Sequence, residues 1–153
     1  MNEVEQGLFV GSLEDSFDQR KMIDNQIDTV INVAEEVCLL DRPGLEYHKF
    51  DIPDDSDQGD IASILPECLE LIHKCILDKR RVLVHCLEGK SRSVCVVLAY
   101  MLIYVKDNVS FYEVLRKLKA KRPIVDIFPL YLAQTKAYYD SYMLDDRLEV
   151  ERR

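Results

Sequence analysis

Short apolar runs and helical stripes alternate along the chain, and their order predicts an α/β domain. Leu8–Val10 reads as a strand ending at the Gly11-Ser12 turn, and Phe17–Asn25 is long enough for a short helix. Thr29–Val33 reads as a second buried strand. Glu46–Phe50 reads as a third, reached through the turn signal Arg42-Pro43-Gly44. The run Val82-Leu83-Val84 suits a strand covered on both faces, ending at His85.

Helical spacing takes over between and after these runs. Ile61, Ile64, Leu65, Cys68, Ile72, Cys75 and Ile76 keep one apolar face, with Pro66 placed in the first turn of the main helix and Lys79-Arg80 closing it. Val94, Val97, Leu98, Met101 and Leu102 form the stripe of a helix starting near Arg92. Ser110 with Glu113 is a capping-box pattern ahead of Val114, Leu115 and Leu118, and Pro123 ends that helix. A last helix is predicted over Pro129–Leu144, followed by a frayed charged end, Asp145–Arg153. The polar loop Asp51–Asp60 fits neither period. The expected architecture is a single domain over 1–144 with a tail over 145–153. It has a central, mostly parallel sheet of four or five strands, with helices on both faces.

The 153 residues suit one domain with a continuous core. A net charge of −8 argues against a nucleic-acid-binding surface or a polybasic membrane face, so any bound anion must be handled locally. Five cysteines, with no Cys-x-x-Cys pair and no zinc-like Cys/His spacing, imply a reducing compartment: the cytoplasm, with the nucleus as a further candidate. No signal-like N-terminus or bilayer-length apolar run is present, so no membrane is expected, and without zinc-like spacing no metal is expected either. Cys68, Cys75 and Cys95 fall on apolar helix faces and read as core, whereas Cys38 sits in a loop-like stretch.

Candidate chemistry concentrates where the Val82–His85 strand gives way to the helix at Arg92. Leu87, Glu88, Gly89, Lys90 and Ser91 can turn their backbone N–H groups onto one point, and the helix N-terminus behind adds partial positive charge. That is a seat for a dianion. Cys86 stands at its entrance, where such dipoles and a nearby guanidinium favour thiolate, the nucleophilic form. Arg92, six positions on, can hold two phosphoryl oxygens in a planar fork. Gly89-Lys90-Ser91 is not part of a nucleotide-binding P-loop, because Val84 stands where that motif needs its first glycine.

The nonapeptide from His85 to Ser93 resembles the His-Cys-x-x-Gly-x-x-Arg-Ser signature of the cysteine-dependent dual-specificity protein phosphatases. The similarity runs from about Gly7 to Tyr139 and includes Gly7-Leu8-Phe9-Val10-Gly11-Ser12, Val30-Ile31-Asn32-Val33-Ala34 and Leu98-Ala99-Tyr100-Met101. The pattern is closest to small plant-type and kinase-directed members. The resemblance implies hydrolysis of phosphotyrosine and phosphoserine or phosphothreonine in phosphoprotein, a protein kinase among the candidate substrates, and no cofactor.

The roles it implies are Cys86 as nucleophile, Arg92 as phosphoryl clamp, Ser93 as donor to the departing sulfur, and a loop aspartate as general acid. Counting back from Asp60-Ile61, similar to the family's opening of the next helix, places the acid at Asp55, with Asp57 and Asp54 as alternatives. His85 is expected to hydrogen-bond loop backbone. Lys119, Lys121 and Arg122 fit either attraction of phosphoprotein or a simple helix-dipole role. Phe128-Pro129-Leu130 departs from the Ser-Pro-Asn or Ser-Pro-Glu of relatives, which puts polar support of the loop from that side in doubt. A phosphoprotein-binding module with little turnover and a phosphoinositide or other non-protein phosphatase are the alternatives, and the sequence leaves the oligomeric state open.

Overall fold

The computed structural model describes residues 1–38, 42–105 and 110–152. Five strands form one sheet: β1 (Asn2–Glu5), β2 (Leu8–Gly11), β3 (Thr29–Ala34), β4 (Glu46–Ile52) and β5 (Val82–His85), in the spatial order β1-β2-β5-β3-β4. Only β1 runs antiparallel, to β2; the β2–β5, β5–β3 and β3–β4 pairs are parallel. The register aligns Gly11, His85 and Asn32 at the carboxyl ends of β2, β5 and β3. Loops leaving a parallel sheet at this end converge on a shared crevice, the usual ligand position in such sheets.

Alternation along each strand splits the core in two. Leu8, Val10, Ile31, Val33, Val82 and Val84 face a large core built with α3 (Leu65–Leu77), α4 (Arg92–Tyr104), α5 (Phe111–Lys121) and α6 (Pro129–Arg152). Phe9, Val30 and Leu83 face the other way and pack with Met22 and Ile27 in a smaller cluster. Two short helices, α1 (Leu13–Phe17) and α2 (Gln19–Asp24), lie in the connection that supplies Met22. Both sheet faces are therefore covered, unequally. Helix α4 is buried on nearly all sides, which explains its broad apolar composition.

Three expectations change. The helix expected over Phe17–Asn25 is the shorter α2, Gln19–Asp24, and a separate helix, α1, precedes it, because Asp18 adopts an extended conformation (φ −79°, ψ 94°) and its side chain accepts from the Lys21 N–H as the cap of α2. Strand β1 was not foreseen, since Asn2–Glu5 has one apolar residue, Val4, to signal it. The last helix does not stop at Leu144 but continues to Arg152, since the charged stretch beyond contains no glycine or proline to end it.

Candidate active site

The chain leaves β5 at His85 and turns through Cys86–Ser91 into α4. The turn depends on Gly89, whose φ of +71° is a glycine conformation; a Cβ there would lie 2.5 Å from the Arg122 guanidinium and 2.6 Å from the Gly11 carbonyl. The Gly89 N–H donates to Cys86 Sγ at 3.3 Å, and Ser93 Oγ lies 3.2 Å from the same sulfur. Cys86 is 3 % exposed, at the floor of a pocket of about 230 Å³. Burial holds His85 below the usual imidazole range, and its Nδ1 lies 2.9 Å from the Cys86 carbonyl, so a neutral ring with its proton on Nδ1 donates to the loop backbone. Burial pushes Cys95 up to about 12 and raises Cys68 and Cys75 as well.

Arg92, the first residue of α4, lies buried behind the sulfur. Its Nη1 donates to Glu36 Oε2 at 2.7 Å and to the Ile52 carbonyl at 3.0 Å, and its Nη2 donates to Glu36 Oε1 at 2.5 Å. Asp54 Oδ1 lies 3.4 Å from Nη2. Burial opposes the guanidinium charge, but the Glu36 pair outweighs it and keeps Arg92 above its ordinary value. In return the Arg92 hydrogen bonds draw Glu36 below the usual carboxylate range.

Four further contacts brace the loop. Arg122 is buried; its Nε donates to the Gly89 carbonyl at 2.7 Å and its Nη1 to Asn2 Oδ1 at 2.7 Å. The Asp126 N–H donates to the Lys90 carbonyl at 3.0 Å, the Phe128 N–H to Ser91 Oγ at 2.9 Å, and the Leu13 N–H to the Leu87 carbonyl at 3.0 Å. The Phe128-Pro129-Leu130 segment thus supplies polar support through its backbone, which removes the doubt its side chains raised. Lys121 Nζ donates to the Val4 carbonyl at 2.8 Å, so Lys121 and Arg122 hold structure together rather than face a ligand.

The acidic loop follows β4 into the same crevice. Asp54 and Asp55 line the pocket with Cys86 and Arg92, whereas Asp57 does not, and Asp60 accepts from the Ser63 N–H. Partial burial, followed by the Asp54 charge, raises Asp55 above the usual carboxylate range against the opposing pull of Arg92. Tyr131, fully buried, donates its hydroxyl to the Pro53 carbonyl, and Gln134 bridges the Gly59 carbonyl and the Ile61 N–H at 2.8 Å each. Helix α6 therefore fixes both ends of the loop that carries Asp55. Tyr131 also fills the space beside Gly59, where any side chain would strike its ring.

Glu36, Arg122, Asp126, Tyr131 and Gln134 went unremarked as site residues in the sequence, or were read differently. Glu36 alone carried a local signal: it is a carboxylate two residues past a parallel strand's carboxyl end.

Fold and site together define a class: an α/β domain with a thiol on the floor of a strand-to-helix loop, and an arginine and carboxyl groups lining the same pocket. Residues 8–141 match the family described as dual specificity phosphatase, catalytic domain, and the chain belongs to that family. Mouse dual specificity protein phosphatase 15 is 30% identical over 138 residues, 90% of this chain and 57% of its own length. Human dual specificity protein phosphatase 22 is 35% identical over 104 residues, 67% of this chain and 54% of its own length. The chain thus spans little more than half of these relatives. The crystal structure of DUSP15 superimposes with a TM-score of 0.85 at 28% identity, covering 100% of this chain and 96% of that one.

Proposed function

We propose that the chain hydrolyses phosphomonoesters of phosphoprotein, on tyrosine and on serine or threonine, through a cysteinyl-phosphate intermediate. The observation that carries this reading is the meeting of Cys86, Arg92 and Asp55 in one pocket, with Ser93 Oγ at the sulfur. In the first step the Cys86 thiolate attacks phosphorus. The S–P bond forms, the P–O bond to the side chain breaks, and the Asp55 carboxyl gives its proton to the leaving oxygen. The loop N–H groups from Leu87 to Ser91 and the free edge of Arg92 hold the equatorial oxygens. In the second step Asp55, now a carboxylate, takes a proton from water as it attacks phosphorus. The S–P bond breaks, phosphate leaves, and the Ser93 hydroxyl donates to the released thiolate.

Protein kinases are candidate substrates, and the reducing interior of the cell, cytoplasmic or nuclear, is the fitting compartment for the Cys86 thiol. Among the described residues no helix is long and apolar enough to cross a membrane. Residues 1–144 are the proposed catalytic unit. Hydrolysis of an aryl phosphate and of phosphopeptides, beside a Cys86→Ser control, tests the reading. The variant should lose turnover and keep phosphate binding, because a serine hydroxyl lacks thiolate character while the loop dipoles persist. Turnover retained in Cys86→Ser would overturn it.

A further inference from the structure

The pocket has a positive floor and a negative mouth. At the floor lie the loop N–H groups and the Arg92 guanidinium; at the mouth lie Asp54 and Asp55 from the loop after β4, Glu88 from the Cys86–Ser91 loop, and Asp126 from the α5–α6 connection. Lys90 is the only cation among the lining residues besides Arg92, and its Nζ lies 3.3 Å from Glu88 Oε2. Its charge is already matched. Asp126 is held at the rim by its own backbone N–H on the Lys90 carbonyl, so its position follows that of the catalytic loop. Asp54, Asp55, Glu88 and Asp126 line this one pocket from three separate segments, and Asp55 is raised first by partial burial and then by the Asp54, Asp126 and Glu88 charges, against the pull of Arg92.

A phosphoryl group fills the positive floor and leaves its flanking residues against the rim. Resting on the phosphatase reading above, we propose that Asp54, Asp55, Glu88 and Asp126 select phosphorylated residues flanked by lysine or arginine, and disfavour those flanked by acids or a second phosphate. Asp54 lies against Arg92, Glu88 against Lys90, and Asp55 carries the proton of the proposed first step, so a cationic flank meets chiefly the Asp126 carboxylate within an acidic rim; an acidic flank meets the same rim and, among the lining residues, no unmatched cation. The same field works against phosphoinositides with adjacent phosphates, whose extra charge would sit at the mouth. Opposite charges at a solvated rim act on encounter and register more than on the chemical step, so the preference belongs mainly in kcat/KM and weakens with salt.

The test uses the full chain and two phosphotyrosine peptides of one backbone, with lysines or glutamates flanking the phosphotyrosine, and an aryl phosphate as flank-free reference. At low salt the basic peptide should be preferred by about tenfold in kcat/KM, a ratio that falls toward one near 0.5 M salt, roughly the range where screening reaches a few ångströms. Asp126→Lys should lower the ratio about threefold or more by replacing a carboxylate with a cation, and Asp126→Asn should lower it less. Equal turnover of the two peptides at low salt, with the aryl phosphate hydrolysed, would overturn the rim proposal and leave the phosphatase reading standing. Absence of turnover on every substrate would overturn the phosphatase reading instead. The rim is then judged by the dissociation constants of the same peptides for the Cys86→Ser protein, and equal values would overturn it too.

Discussion

A guanidinium has five N–H donors, and at Arg92 the neighbours have already divided them. Glu36 takes one hydrogen from each terminal nitrogen, and the Ile52 carbonyl takes the second from Nη1. Among the described residues the Nε hydrogen and the second Nη2 hydrogen make no hydrogen bond, and Asp54 Oδ1 stands 3.4 Å from Nη2 on that side. They form the side-on edge, the fork suited to two phosphoryl oxygens. Glu36 thus acts as a positioning residue for that edge. Glu36→Gln keeps the shape but removes the charge, and should lower kcat/KM for an aryl phosphate roughly tenfold, the scale of one charge-assisted hydrogen bond. The linkage has a definite sign. Arg92 lowers the Glu36 pKa from 4.5, so the pair adds stability above that value and loses it as pH falls through the lowered value. Denaturant midpoints of wild type and Glu36→Gln should therefore differ at neutral pH and converge in acid.

Asp55 has the opposite sign. Its pKa is raised, so the fold favours its protonated form, and its contribution to stability falls as pH rises from 3.8 through the raised value. For the proposed first step the same shift is useful, because an acid at Asp55 must carry a proton, and activity should then decline as pH climbs past it. Asp55→Asn should cost about a hundredfold, most for an alkyl phosphate and least for a nitrophenyl phosphate, and should erase that basic limb. The same substitution should hold or raise thermal stability at pH above that raised value, where the folded wild type carries the disfavoured charge. Asp57→Asn, outside the pocket, should remain near wild type. A large, leaving-group-dependent loss in Asp57→Asn with none in Asp55→Asn would move the acid along the loop.

Among the elements, the β5–loop–α4 unit was legible because all its information is local. A β-branched strand, a glycine where φ is positive and a helical stripe lie within about twenty residues. The break at Asp18 was less legible, since a capping aspartate inside a polar segment resembles an ordinary helical residue. Strand β1 carries too little apolar signal to be read before its partner β2 is known. The braces of the Cys86–Ser91 loop come from elsewhere: Arg122 reaches it from α5's end, and Asp126 and Phe128 from the connection to α6. Gly89→Ala tests how tightly that unit is built. The added Cβ would meet both Arg122 and the Gly11 backbone, in a conformation that costs about 1–3 kcal/mol for a non-glycine residue. The variant should unfold at lower denaturant and bind phosphate more weakly; unchanged midpoint and affinity would show that the loop has another accessible path.

For the whole molecule, the division between legible and illegible follows sequence separation. Cys86, Arg92 and Ser93 lie within eight residues and declared themselves. The Glu36–Arg92 pair joins residues 56 apart, Arg122–Gly89 33 apart, and Tyr131–Pro53 78 apart, and no local period records such meetings. They exist because the parallel register brings the carboxyl ends of β2, β3 and β5 to one level, and because α6 returns over the loop after β4. One consequence of that assembly can be observed directly. Ser93 Oγ lies 3.2 Å from the Cys86 sulfur, and under the proposed mechanism it aids departure of that sulfur in the second step, so Ser93→Ala should slow breakdown of the intermediate more than its formation. Acid-quenching Ser93→Ala during turnover of an aryl phosphate and weighing its peptides should find one phosphoryl group on the peptide carrying Cys86. The group should disappear on prolonged incubation and be absent from Cys86→Ser. Turnover in Ser93→Ala with a burst of released phenol but no phosphoryl group on Cys86, or with the group on another residue, would contradict the account.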